Sequence, residues 1–242
     1  MIRVRLPFGR RIVVLVALLI ALVALFPMRM AVGMLGLERQ GVTARTISGS
    51  VWAARIEGLA ASGVALGTVD AALSPLDLLI GRARILVTRS TDAPGEPPLA
   101  GSAIVSRHVL ALDALDAVLP LGAALAPLPV GSLTASGLSV RFEEGACRRA
   151  SGTARLALTG SIGGVALAQG LSGNAICEGR YLRLPLTSQS GQERLDFRLA
   201  IAGDYTAELL VAQPDAARAA ALGELGFEAV PGGYRLRVTG RL

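Results

Sequence analysis

A chain of 242 residues, 52% apolar but only 4% aromatic, suits one domain of about 200 residues with a short extra segment, its core built from Leu, Val, Ala and Ile. All 24 basic residues are Arg; five of them (Arg3, Arg5, Arg10, Arg11 and Arg29) precede Glu38, the first acid, leaving 19 against all 18 acids. The net charge of +6 is thus an end effect that excludes a nucleic-acid surface, and the lack of Lys excludes P-loop and Schiff-base chemistry.

Residues 12–28 are an uninterrupted apolar run, IVVLVALLIALVALFPM, and apolar character resumes after Arg29 through Leu37. A spanning helix needs roughly 20 apolar residues. The run therefore predicts a single-pass transmembrane helix over 12–34, with Arg29 snorkelling to the outer interface. Four uncompensated arginines precede it. The positive-inside rule keeps 1–11 as a cytoplasmic basic segment and exports 35–242. The expected location is the cell inner membrane, with the main domain periplasmic. A cleaved signal peptide is the alternative, and it sends the rest of the chain to the same compartment.

The exported part reads as one antiparallel, meander-rich β domain with a few short helices. Segments 50–60, 63–73, 81–90, 98–107 and 131–142 are candidate strands. Period-two alternation is clearest further on: Leu182, Leu184 and Leu186; Leu195, Phe197, Leu199 and Ile201; Tyr205, Ala207, Leu209 and Val211; Tyr234, Leu236 and Val238. Each set opposes polar residues, as strands with one buried and one wet face require. Turn signals stand at Gly163-Gly164, Gly173-Asn174, Glu178-Gly179, Ser190-Gly191, Gly203-Asp204 and Gly232-Gly233. Ser74-Pro75-Leu76-Asp77 predicts an N-capped helical turn over 75–80. Residues 109–118 and 214–224 are the other helix candidates, and 92–98 is a Pro/Gly-rich loop.

Two cysteines, Cys147 and Cys177, lie 30 residues apart. In an oxidising compartment an even pair is most simply a disulfide; two separate buried thiols are the alternative. Candidate chemistry is sparse. His108 is the single histidine, placed where a strand gives way to the helix candidate, and no G-x-S-x-G surrounds any serine. Asp113 and Asp116, three apart on that candidate helix, and Glu143-Glu144 in a turn read as solvated charge. No catalytic group, metal, cofactor or small-molecule substrate is expected.

Two stretches carry a resemblance. Ile47-Ser48-Gly49-Ser50-Val51-Trp52 is followed by Ala65-Leu66-Gly67-Thr68-Val69 and by Leu73-Ser74-Pro75-Leu76-Asp77-Leu78-Leu79-Ile80-Gly81-Arg82. Further on stand Cys147, Ser151-Gly152, Cys177-Glu178-Gly179, Ser188-Gln189-Ser190-Gly191 and the ending Gly233-Tyr234-Arg235-Leu236 to Gly240-Arg241-Leu242. Over roughly 45–242 the chain resembles type II secretion system protein N, with Gly49, Val51, Trp52, Gly67, Pro75 and Gly81 as the motif positions. The resemblance implies a non-enzymatic accessory subunit of the machine that exports folded proteins across the outer membrane. Its implied partners are inner-membrane platform subunits and the outer-membrane secretin. A second class is a lipid-contacting periplasmic protein resembling AsmA-like proteins. The fate of the apolar sheet face separates the two: covered or closed for an interaction module, an open groove for lipid.

Overall fold

The apolar run at the start of the chain forms two helices rather than one. In the computed structural model, which describes residues 8–36, 41–89, 97–122, 128, 130–158, 161–162, 165–166, 170–212 and 214–241, α1 covers Phe8–Ala24 and α2 covers Met28–Leu35. Pro27 divides them. It offers no backbone N–H and pushes Phe26 out of the helical region, and its own ψ of 134° is extended. The predicted continuous helix over 12–34 is corrected accordingly. Among the described residues no helix is long and apolar enough to cross a membrane. Gly36, left-handed at φ 61°, ends α2 by donating to Gly33 and Val32 carbonyls.

Among the described residues eighteen strands follow. Before the helix α3 (Pro75–Leu79) come β1 (Val42–Thr43), β2 (Thr46–Ser50), β3 (Ala53–Ala61) and β4 (Val64–Leu73). After it come β5 (Ala83–Arg89), β6 (Leu99–Val105), β7 (Val109–Pro120), β8 (Val130–Glu143) and β9 (Ala146–Leu158). Next are β10 (Ser161–Ile162), β11 (Val165–Ala166), β12 (Leu171–Asn174), β13 (Ile176–Glu178), β14 (Tyr181–Thr187), β15 (Glu193–Ala200) and β16 (Asp204–Ala212). Helix α4 (Ala216–Glu224), β17 (Glu228–Val230) and β18 (Gly233–Arg241) close the chain. Sixteen strands form one antiparallel sheet in the order β1-β3-β4-β5-β6-β7-β8-β9-β12-β14-β15-β16-β18-β17, with β2 and β13 paired alongside β3 and β14. Strands β10 and β11 pair separately. Sequence neighbours are mostly sheet neighbours, so the predicted meander is the fold.

The alternating leucines do what their period requires. Leu182, Leu184 and Leu186 are buried on β14, and Tyr205, Ala207, Leu209 and Val211 on β16. Register sets Leu195 opposite both Leu186 and Leu209, and Leu209 opposite Leu236. These rows form the main core with β8, β9 and α4, whose Leu222 is fully buried. A smaller cluster of Ile56, Val69 and Ala71 takes Met28 of α2 against it.

Four readings are corrected. Residues 109–118 are strand, not helix: β7 shifts register around Leu112, Leu115 and Ala117, and Ala114 sits at φ 49°. These bulges insert extra residues, which turns a two-residue period into the three-residue spacing of Asp113 and Asp116 that imitates a helix face. His108 consequently lies in the turn between β6 and β7. Gly173-Asn174 is within β12, because an added Cβ at Gly173 would collide with the Pro185 carbonyl of β14; the glycine serves close backbone approach. On β15 the row of Leu195, Phe197 and Leu199 stops with the strand, whose last residue is Ala200, and Ile201 is an exposed turn residue. Strand β9, with few large apolar residues, is not among the expected strands. The turn at Gly163-Gly164, most of loop 92–98 and the start of the basic segment lie outside the described residues.

Candidate functional site

The titratable residues do not converge. His108 is exposed, and its carbonyl accepts from Glu144 N at 3.0 Å. Glu143 pairs with Arg141 at 2.6 Å. Asp113 lies 3.9 Å from Arg84, while Asp116 Oδ1 accepts from Gly137 N at 2.8 Å. The latter two carboxylates satisfy the irregular β7 region rather than face a common substrate. Among the described residues no three His, Cys, Asp or Glu gather where a metal ion could sit.

The motif residues other than Gly67 do converge on one place, the junction between the helices and the sheet. Gly49 (φ 91°) is required because a Cβ there would strike the Ala53 carbonyl in the tight β2–β3 hairpin. Next to it, Val51 N donates to Phe26 O and Val51 O accepts from Leu73 N, both at 3.0 Å. Trp52 Nε1 donates to Val23 O at 2.9 Å, a carbonyl at the end of α1 that also accepts from Phe26 N at 3.3 Å. Pro75 stands at the start of α3, and Ser74 Oγ accepts from Asp77 N at 3.4 Å. Asp77 does not close a capping box: Ser74 N donates instead to Arg84 O, and the Asp77 carboxylate lies 3.6 Å from Arg84. Gly81 (φ 74°) turns the chain into β5. Gly67 (φ 72°) sits apart, at the register shift opposite Leu59.

The second cluster lies within the sheet, where the Cys147–Cys177 disulfide, Cα to Cα 5.3 Å, joins β9 to β13. Strand β12 pairs with β9 only over 153–156, so the start of β9 has lost its ladder partner there. Short β13 stands in for it, and the disulfide joins the two. Outside, Arg183 bonds Asp196 through Nε and a terminal nitrogen at 2.6–3.0 Å, and Arg198 bonds Glu178 at 2.7 Å. Hydrogen bonding to Asp196 raises the Arg183 pKa and bonding to Glu178 raises that of Arg198. Sequence reading misses this network, because cross-strand partners follow from register. The Ser188-Gln189-Ser190-Gly191 motif closes the β14–β15 hairpin. Its Ser190 Oγ donates to the buried carboxylate of Glu193 at 3.0 Å.

The sheet lines an apolar cavity of about 380 Å³. Leucines of β7, β8, β14 and β15, with Phe142 and Phe197, form one wall; Ala61, Val64 and Leu66 from the β3–β4 hairpin face them. Its volume falls in the range of small-molecule sites, but its lining has almost no polar group to orient one. As a sealed empty void it would cost about 9 kcal/mol at roughly 24 cal/mol per Å³, comparable to a domain's whole stability. The space is therefore open at its rim or filled by apolar matter. The sheet itself does not close: β1 and β17 end it without pairing among the described residues. Helix α4 covers its C-terminal part, while the expected second cover, 109–118, belongs to the sheet.

The family model for type II secretion system (T2SS), protein N, matches residues 40–237. That interval takes in nearly the whole sheet, the junction motif and the disulfide, and leaves out α1 and α2. Comparison with curated proteins and with solved structures gives no match.

Proposed function

The chain belongs to the type II secretion system protein N family, and from that premise we propose that it is a non-enzymatic accessory subunit of the secretion machine, held in the inner membrane by α1 with its sheet in the periplasm. The family match over most of the chain carries the reading. The uncompensated arginines at the N-terminus support the orientation, and the disulfide supports an oxidising compartment. Helix α1 presents Val13, Leu15, Leu18 and Leu22 to its surroundings, each more than half exposed. At 17 residues it is about 25 Å long, shorter than a hydrocarbon core of roughly 30 Å. Local thinning of the bilayer and interfacial anchoring accommodate such a mismatch. Inner-membrane platform subunits and the outer-membrane secretin are the proposed partners.

The test has two parts. A periplasm-active reporter fused after Leu242 should be active and a cytoplasm-active one silent; the reverse pattern refutes the orientation. The full chain, cross-linked in secreting cells and purified, should bring down platform subunits or the secretin. Recovery of neither refutes the assembly.

A second reading, an AsmA-like lipid-contacting protein, is favoured by one observation, the aliphatic cavity on a sheet that does not close. Stoichiometric phospholipid in the purified chain, with no secretion partner, would decide for it.

A further inference from the structure

Helix α3 buries none of its side chains. Leu76 is 75% exposed, Leu79 83% and the capping Ile80 66%, with Leu78 beside them at 40%. Scattered exposed leucines need no explanation, whereas a contiguous bulky patch marks a contact. The patch is also firmly presented. Asp77 O accepts from Ile80 N and Arg82 N, Leu78 O accepts from Gly81 N, and Ser74 N ties the start of the turn to Arg84 O.

Its position identifies what it touches. Leu73, two residues before α3, donates to Val51 O, and Val51 in turn donates to Phe26 O just beyond α1. Three residues from Leu73 to Leu76 span at most about 10 Å, so the patch lies close to the outer end of the anchor. Trp52, bonded to Val23 O, stands at the same level with an amphipathic ring of the kind that gathers at membrane interfaces. The exposed apolar surface of α1 continues to Leu25, 76% exposed. Arg29 at the start of α2 and Arg82, two residues after Ile80, are exposed, and each suits a lipid phosphate.

We infer that α3 is a second membrane contact, with Leu76, Leu79 and Ile80 inserted into the periplasmic leaflet of the bilayer that α1 enters. The inference rests on the anchored reading above. Interfacial helices bury their apolar side chains about 5–10 Å deep, a depth that one helical turn supplies. Two contacts, α1 and α3, fix the tilt of the sheet over the membrane where a single helix would leave it free to swivel. The Pro75 and Gly81 motif positions then shape the turn that carries this patch.

The experiment uses the full chain reconstituted in vesicles of phosphatidylethanolamine and phosphatidylglycerol, with and without bromine on the upper part of the acyl chains. Trp52, the single tryptophan, reports the anchor: bromine should quench it. Leu79→Trp adds a second indole on α3. Ala65→Trp adds one on β4, eight residues from Leu73 and so about 26 Å along the strand. The quenched fraction in Leu79→Trp should equal or exceed that of wild type, and in Ala65→Trp it should fall. A Leu79→Trp fraction no higher than that of Ala65→Trp, with Trp52 still quenched, overturns the inference and leaves the anchor standing. An unquenched Trp52 in the wild-type chain removes the anchored reading, and the inference with it. Cross-linking from position 79 to another secretion subunit, without quenching there, assigns the patch to a protein and also overturns it. Leu79 is so exposed that Trp is tolerated, and an unchanged urea midpoint checks this.

Discussion

Replacing Cys147 and Cys177 together by Ser tests whether the staple or the ladder holds the seam between β9 and β13. The bridge closes a loop of 30 residues. Loop-closure entropy gives about 2.1 + 1.5R ln 30 cal/mol/K, close to 3.6 kcal/mol at 25 °C. Ser roughly preserves side-chain volume at both sites, at the partly buried Cys177 and at Cys147, which is 7% exposed in the main core. The change should therefore act mainly through the unfolded chain. For a domain of this size it lowers Tm by roughly 7–15 °C, at 2–4 °C per kcal/mol. The assay is thermal unfolding of the full chain in detergent, with and without a reductant. Wild type under reductant should fall to the level of the double variant, and the double variant should ignore the reductant. Equal Tm values for oxidised and reduced wild type would refute the reasoning, because the bridge would then constrain nothing. The sheet should still form in the double variant, since the β14–β15–β16–β18 rows do not use the bridge.

Leu209→Ala, at a 1% exposed position between Leu195 and Leu236, should cost about 3 kcal/mol through lost transfer energy and a residual cavity; a urea denaturation loss under 1 kcal/mol would mean that the rows repack. Bonding to Arg55 holds the Asp70 carboxyl below its ordinary pKa, so the pair's contribution is present above the unfolded value of about 3.9 and lost as pH falls through the lower folded value. An NMR titration should show Asp70 rising to its ordinary value in Arg55→Ala, and salt should weaken the effect, since both groups are exposed. His108→Ala should leave secretion of folded substrates unchanged, as the residue is exposed and joins no group of three or more His, Cys, Asp or Glu among the described residues; abolished secretion with intact folding would point to an enzyme.

What the sequence made legible was whatever has a short period. Leu182, Leu184 and Leu186 announce a buried face because side chains alternate with every residue, and the registry that places them against Leu195 and Leu199 follows from hairpin turns. Ser74-Pro75 announces a helix start for equally local reasons. What it hid depends on pairings between distant residues. The β7 irregularity changes the period itself, so Leu112 and Leu115 imitate a helix that pairing with β8 forbids. Gly173 looks like a turn until Pro185 arrives beside it.

The same distinction explains the junction. Pro27 inside the apolar run is a local signal of a break, yet the partners that make the break useful lie about two dozen residues further on. The Phe26 carbonyl, released by the interrupted helix, is taken by Val51 N, and Trp52 Nε1 adds a second donor to Val23 O beside Phe26 N. A helix end away from water needs such partners, because an unsatisfied carbonyl there costs as much as a lost hydrogen bond. The motif residues around 49–52 and 73–81 thus build one structure together, a hairpin that meets the end of α1 and a helical turn set beside it. A substitution such as Trp52→Phe keeps the aromatic ring but removes the bond from the hairpin to Val23 O, leaving that carbonyl only the 3.3 Å bond from Phe26 N, so it should loosen the helix from the sheet without unfolding either. Faster amide exchange confined to 22–28 and 50–53, with the urea midpoint of the sheet unchanged, is the expected result. Uniform loss of protection across β14–β16 would show instead that Trp52 supports the core.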